Sequence, residues 1–362
     1  MPTDPIRSEP GLERRESAEG KTTREPVETM RGIVETTLED YGYPVRSVHA
    51  KSHGFLRGEI EVLGGLPPAY AQGLFYRPGR LPAMRFSTNP GDLLEDSVSV
   101  PRGLALKVVG VEGERLPGAE GQATEDFVMA NAPAFAATVK VFFGIAQMLA
   151  KTTDMPQGLN KAVSAVLRGT EAAIEAVGGK SATVMQLGGH PNTHVLSETF
   201  YSQTPYRHGD FIAKYSIAPV SPALGALTGR KMEVPGRPEA LCEEVTDFFA
   251  AHEGEWELRA QLLIDPGAMP VEDASLQWPE KASPYLALAS ITIRRQPALN
   301  EERSRAVDLG MSFSPWHGLA SHRPLGSINR ARKPAYEMSS GFCASHSGCP
   351  MHEPRVAEDM PI

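Results

Sequence analysis

Residues 254–265 read Gly-Glu-Trp-Glu-Leu-Arg-Ala-Gln-Leu-Leu-Ile-Asp. Trp256, Leu258, Ala260, Leu262 and Ile264 alternate with Glu257, Arg259, Gln261, Leu263 and Asp265. Successive side chains of a strand point to opposite faces, so this period predicts a strand in a sheet. Outward from it, Leu56, Gly58, Ile60 and Val62 alternate with Arg57, Glu59 and Glu61. Leu104, Leu106 and Val108 do the same after a Pro101-Arg102-Gly103 turn. Further strands are predicted at Ala83–Ser87, Asp126–Met129, Phe211–Ile217 and Leu286–Arg294. Helical spacing joins Met30, Ile33, Val34 and Leu38, stopped by Gly42 and Pro44. It returns in three stripes over residues 134–188, among them Phe142, Phe143, Ile145, Met148 and Leu149, and again from Ser327 to Tyr336. Strands, a helical insertion and strands again predict an α+β fold: one antiparallel sheet or barrel with packed helices. Strict alternation of strand and helix, the mark of a doubly wound parallel sheet, is absent.

The chain has 362 residues, 41% hydrophobic and 22% charged, which is the composition of a globular protein. Its 34 glycines and 31 prolines favour turns and long connections over a helical bundle. A net charge of −8 argues against a binder of nucleic-acid backbone. No apolar run is long enough to span a bilayer, and the polar N-terminus lacks a secretory core, so a cytoplasmic protein is expected. Three cysteines are too few for a disulfide framework. Residues 1–26 are charged and poor in apolar residues, and read as a disordered arm.

The common nucleotide, zinc-protease and serine-hydrolase motifs are missing. Gly178-Gly179-Lys180-Ser181 lacks the leading glycine of a phosphate loop and reads as a helix stop. His49, in Arg46-Ser47-Val48-His49-Ala50-Lys51-Ser52-His53-Gly54, is flanked by small residues and precedes a strand. Such an imidazole can move protons near neutral pH, although the spacing fits a surface histidine equally. Arg332 and Tyr336 are i and i+4 on a helix, and a guanidinium beside a phenol favours phenolate, a ligand for ferric iron. Ordinary arginine–tyrosine packing fits the same spacing.

Arg46–Gly54 (RSVHAKSHG), Met84–Thr88 (MRFST), Pro101–Lys107 (PRGLALK), Asp126–Pro133 (DFVMANAP) and Arg332–Tyr336 (RKPAY) stand in the order found in haem catalases. The chain resembles that family over residues 27–340, and most closely its short, bacterial, catalase-related branch of haem peroxidases. The coral allene oxide synthase domain belongs to the same superfamily. The resemblance implies an antiparallel β-barrel of the haem catalase type, bound haem b, and a peroxide as substrate. It implies His49 as the distal base, Ser87 as its hydrogen-bond partner, and Asn131 as the amide that orients peroxide. Tyr336 is implied as the axial iron ligand, with Arg332 beside it. Arg46 and Arg85 are implied at the haem propionates, and Val48 and Phe143 on the porphyrin faces. A homodimer or homotetramer is also implied.

The chain departs from the family pattern in several places. In the family's Gly-Asn-Asn-Thr-Pro stretch, ungapped alignment puts Ala130 at the distal amide position, so Asn131 needs a bulge to serve there. Val100 replaces an aspartate, Phe342 stands where an arginine is usual, and Pro334 is expected to kink the last helix. Residues 341–362 are expected to be a flexible tail, whose Cys343, His346, Cys349 and His352 are metal-ligand types without a zinc spacing. No NADPH-binding or flavodoxin-like domain is implied. Three activities remain open: catalase or peroxidase action on hydrogen peroxide, conversion of fatty-acid hydroperoxides as in allene oxide synthases or hydroperoxide lyases, and haem binding or sensing without turnover.

Overall fold

Arg57 and Gly58 join two strands that lie toward opposite ends of one sheet. The computed structural model describes residues 4–15, 17, 19–76, 80–81, 84–88, 93–98, 100–144, 147, 192–348 and 351–360. Its main elements are α1 (Glu19–Tyr41), β1 (Ser52–Leu56), β2 (Glu59–Val62), β3 (Arg80–Leu81), β4 (Met84–Thr88), β5 (Arg102–Val109) and β6 (Thr124–Ala130). There follow β7 (Phe200–Tyr201), β8 (Tyr206–His208), β9 (Phe211–Pro219), α2 (Ala240–Ala251), β10 (Gly254–Leu262), β11 (Leu286–Ile293), α3 (Glu301–Gly310) and α4 (Gly326–His346).

The strands form one antiparallel sheet in the order β1-β4-β5-β6-β7-β9-β10-β11-β2-β3, with β8 paired to β9. The single strand expected over residues 56–62 is therefore two. β1 pairs with β4 and β2 with β11, and only two residues link them. That short link forces the sheet to curl until its two ends approach, which makes the half-barrel. Gly58 sits where the chain crosses: a Cβ there would come within 2.8 Å of the Thr292 carbonyl oxygen. Elsewhere the predicted strands stand close to where their periods put them.

Two faces of the sheet are covered. Leu104, Leu106, Val108, Phe127 and Met129 point into the curl, packed with Tyr215, Trp256 and Leu258. Ala105, Val109 and Val128 point outward, against Val307, Met311 and Phe313 and the half-buried Tyr336. β5 is consequently buried at every position. The candidate site occupies this second, outer layer, between the sheet and the two C-terminal helices.

Both chain ends differ from expectation. α1 begins at Glu19, inside the arm expected to be disordered. Ahead of it the Ile6 amide donates to the Leu263 carbonyl at 2.8 Å, and Arg7 pairs with Asp210 at 2.8 Å. Glu13 accepts from Arg323 and Arg330 at 2.6 and 2.8 Å, and Arg330 also binds Glu19 and Glu272. Ion pairs hold this segment, and composition cannot foresee partners three hundred residues away. At the other end α4 runs unbroken through Pro334 to His346. Residues 351–360 then pack back: Lys107 donates to Glu353 at 2.8 Å, and Met360 is buried beside Phe313. Most of the helical insertion, including Ile145, Met148, Leu149 and Gly178–Ser181, lies outside the described residues, as does Cys349. Among the described residues no helix is long and apolar enough to cross a membrane.

Candidate functional site

The outer layer encloses two adjoining compartments that share Val48, His49, Met30 and Tyr336 in their walls. One, of about 80 Å³, is lined by Arg46, Arg85, Asp308, Phe313 and His317 among others. The other, of about 420 Å³, is mostly apolar, with Pro101, Ala130, Ala132, Phe135, Phe142 and Ile328 in its walls. Together they make a cavity with a cationic end and an apolar end.

His49 lies in the irregular segment before β1, with its backbone at φ +55°, left-handed for a residue that carries a Cβ. β4 holds it from both sides. Its side chains at 85 and 87 share one face because strand residues two apart do so. Arg85 Nη2 donates to the His49 carbonyl at 2.9 Å, and Ser87 Oγ lies 3.1 Å from Nδ1. Gly103 on β5 makes room for the ring: a Cβ there would overlap Cε1 and Nδ1. Burial, then the charges of Arg85, Arg332 and Arg46, push the His49 pKa down to about 3. The ring is therefore neutral at physiological pH. With Nδ1 taken by Ser87, Nε2 is the nitrogen left for a bound molecule.

Across the cavity, α4 places Arg332 and Tyr336 on one face. Arg332 Nη2 donates to the Tyr336 hydroxyl at 3.1 Å, and the guanidinium stands 5.4 Å from the ring centroid. Burial opposes the charge on Arg332, but Tyr336 and Tyr206 outweigh it and raise its pKa. Its other polar neighbour is the neutral amide of Asn329, at 3.3 Å.

Arg46 and Arg85 meet at the cationic end, as the sequence suggests, and Val48 lines both compartments. Two details differ locally, although Asn131 itself lines the larger compartment. The bulge at Asn131 is absent, for β5 and β6 pair in unbroken register to Gly103–Ala130. The Asn131 amide nitrogen donates to Glu198 at 2.5 Å, and its oxygen accepts from the Arg102 amide at 3.0 Å. Strand alternation puts Ala130 on the same face as Val128, toward the outer layer. Phe143 is half-buried but outside the cavity wall, where Phe142 stands instead; neighbouring helix residues point about 100° apart. Sequence reading missed Asp308, which bonds both arginines. No motif marks an aspartate on an otherwise ordinary helix.

Among the described residues the C-terminal cluster does not assemble into a metal site. Cys343 is buried on α4 with its thiol toward the Val45 carbonyl, and His346 stacks on Phe342 at 4.1 Å. Among the described residues no group of three or more acidic, histidine or cysteine side chains could hold a metal ion.

No protein-family model matches the sequence, and no curated protein matches it. Solved structures do match. A fungal catalase superposes with a TM-score of 0.60 at 17% identity, over 91% of this chain and 64% of that one. Catalase A from Saccharomyces cerevisiae gives 0.60 at 18%, over 91% and 67%. A bacterial catalase gives 0.57 at 16%, over 88% and 62%. The chain thus has the catalase fold, and spans about two thirds of the length of these proteins.

Proposed function

We propose that this chain is a haem-dependent hydroperoxidase, acting on hydrogen peroxide as a catalase, or as a peroxidase with an organic donor. The observation that carries the reading is the two-ended cavity bordered on both compartments by His49 and Tyr336. Its residues fit haem b. The macrocycle is planar and apolar with one carboxylate edge, and the cavity offers an apolar end, two arginines at the other, and an ionisable oxygen donor. Tyr336 would hold the iron through its phenol oxygen, to which Arg332 donates, and Arg46 and Arg85 would face the propionates. Val48 and Phe142 would pack against the ring. Haem, when bound, supplies the iron that exchanges electrons with peroxide.

The proton work falls to His49. Because its pKa lies far below neutrality, Nε2 is a free base at pH 7. It takes a proton from the hydroperoxide and returns it to the oxygen that departs as water. Ser87 holds the ring: in the tautomer this step requires, Nδ1–H donates to Oγ and Nε2 is unprotonated. Ala130 offers no hydrogen bond where the family places an amide, which leaves His49 as the group that orients peroxide on that side of the cavity. This gap, with the apolar compartment, favours a second reading, in which a bulkier organic or fatty-acid hydroperoxide is the preferred substrate.

The test is oxygen evolution from hydrogen peroxide, compared with loss of a fatty-acid hydroperoxide, with and without a reducing donor. His49→Ala should abolish oxygen evolution while haem stays bound. Tyr336→Phe should reduce haem loading and change the ferric spectrum. A fully loaded protein that consumes neither peroxide overturns both readings and leaves haem binding alone.

A further inference from the structure

We propose that Asp308 is a positioning residue for His49, acting through Arg85; this rests on the hydroperoxidase reading for its consequence but not for its geometry. Asp308 projects from α3, an element outside every motif that points to the site. Its Oδ1 accepts from Arg85 Nε and Nη2 at 3.2 and 3.1 Å, from Ser52 Oγ at 2.6 Å, and from Arg46 Nη1. Its Oδ2 accepts from Ser304 Oγ at 3.3 Å. One carboxylate thus ties α3 to the start of β1, to β4 and to the segment before β1.

The same Arg85 nitrogen that meets Asp308 also donates to the His49 carbonyl. This matters because His49 holds a left-handed backbone, a strained conformation that persists only where its surroundings impose it. Arg85 imposes it by fixing the carbonyl, and Asp308 fixes Arg85. Arg46 cannot stand in, since its second nitrogen is committed to the Val307 and Met311 carbonyls. Remove the carboxylate and the buried Arg85 and half-buried Arg46 guanidinium groups repel each other across the site. Arg85 then leaves the carbonyl, the backbone relaxes, and the ring loses its alignment with Ser87.

The test uses the full-length chain labelled with ¹⁵N-histidine. Before haem is added, wild-type His49, held in one position beside Ser87, should show one tautomer. Asp308→Asn should average the two tautomers, and Asp308→Glu should restore the single one in part. After haem loading, Asp308→Asn should consume peroxide roughly 100-fold more slowly, the loss expected for a misplaced proton-transfer group. A single tautomer retained in Asp308→Asn overturns the proposal, whatever the peroxide kinetics. Should Asp308→Asn fail to fold, Arg85→Lys removes the bridge but keeps the charge, and must give the same averaging; a single tautomer there also overturns it. If the wild type takes up no haem, the hydroperoxidase reading fails, and the tautomer comparison still decides the role of Asp308.

Discussion

Gly103→Ala is the sharpest probe of how the sheet serves the site. Position 103 lies in β5, paired with Ser87 and Ala130, and its φ is not in the left-handed region. Alanine therefore brings no backbone strain, and only its methyl group matters. That methyl would overlap Cε1 and Nδ1 of His49 and stand 3.1 Å from Ser87 Oγ. Ordinary contact begins near 3.4 Å, so the ring must retreat toward the cavity. A retreat of about 1 Å, which also breaks the bond to Ser87, costs roughly 100-fold in turnover for a group whose work depends on position. Global stability should stay within about 1–2 kcal/mol, because the ring has open space to enter. The assay is oxygen evolution per bound haem, alongside the unfolding midpoint. Turnover within threefold of wild type at full haem loading would refute the claim that the sheet sets the His49 position. A collapse of stability would show that the ring cannot move, contrary to the cavity described.

Three further outcomes are expected. Tyr215 bridges two buried histidines, with its hydroxyl 2.8 Å from both His208 Nδ1 and His322 Nδ1. Tyr215→Phe leaves both nitrogens without a partner and should destabilise the fold by about 2–5 kcal/mol in urea titrations, with the haem spectrum unchanged. Acid should destabilise the protein before its carboxylates titrate. Burial holds His208 at about 4, His194 at about 4 and His49 at about 3, so the unfolded chain takes up protons first as pH falls below 6.5. Stability is then fully present above that pH and is lost on the way down to about 4, by roughly 3 kcal/mol for His208 alone. Buried Glu125, raised to about 8, opposes this as one group against several. A flat unfolding midpoint between pH 7 and 5 would contradict the assignment. Arg330→Ala removes one cation shared by Glu13, Glu19 and Glu272, and should speed tryptic cleavage at Arg14 and Arg15 without altering haem loading.

The residues that border the cavity were largely legible because they sit in short motifs. His49, Ser87, Arg46, Arg85, Arg332 and Tyr336 come together as their motifs suggest. Asn131 and Phe143 show the limit. Phe143 was one position from Phe142, which lines the cavity, while Asn131 lines it beside Ala130 from beyond the strand end, and a shift of one residue turns a side chain to another face of a strand or helix. Asp308 was illegible because its role comes from three elements that meet around it.

By itself the sequence determined the strand periods, the arginine–tyrosine pair one helical turn apart, and the motifs that point to haem. All are local, since period and spacing act within a few residues. Tertiary structure alone decided that two strands linked by Arg57 and Gly58 belong to distant parts of one sheet, so that it curls. It also decided that both chain ends pack, through Arg330 at one and Lys107 at the other. It decided, finally, that Ala130 rather than Asn131 shares the outward face of β6 with Val128. The reason is the same in each case: an ion pair, a register or a shared face depends on partners far along the chain, and no window of sequence contains them.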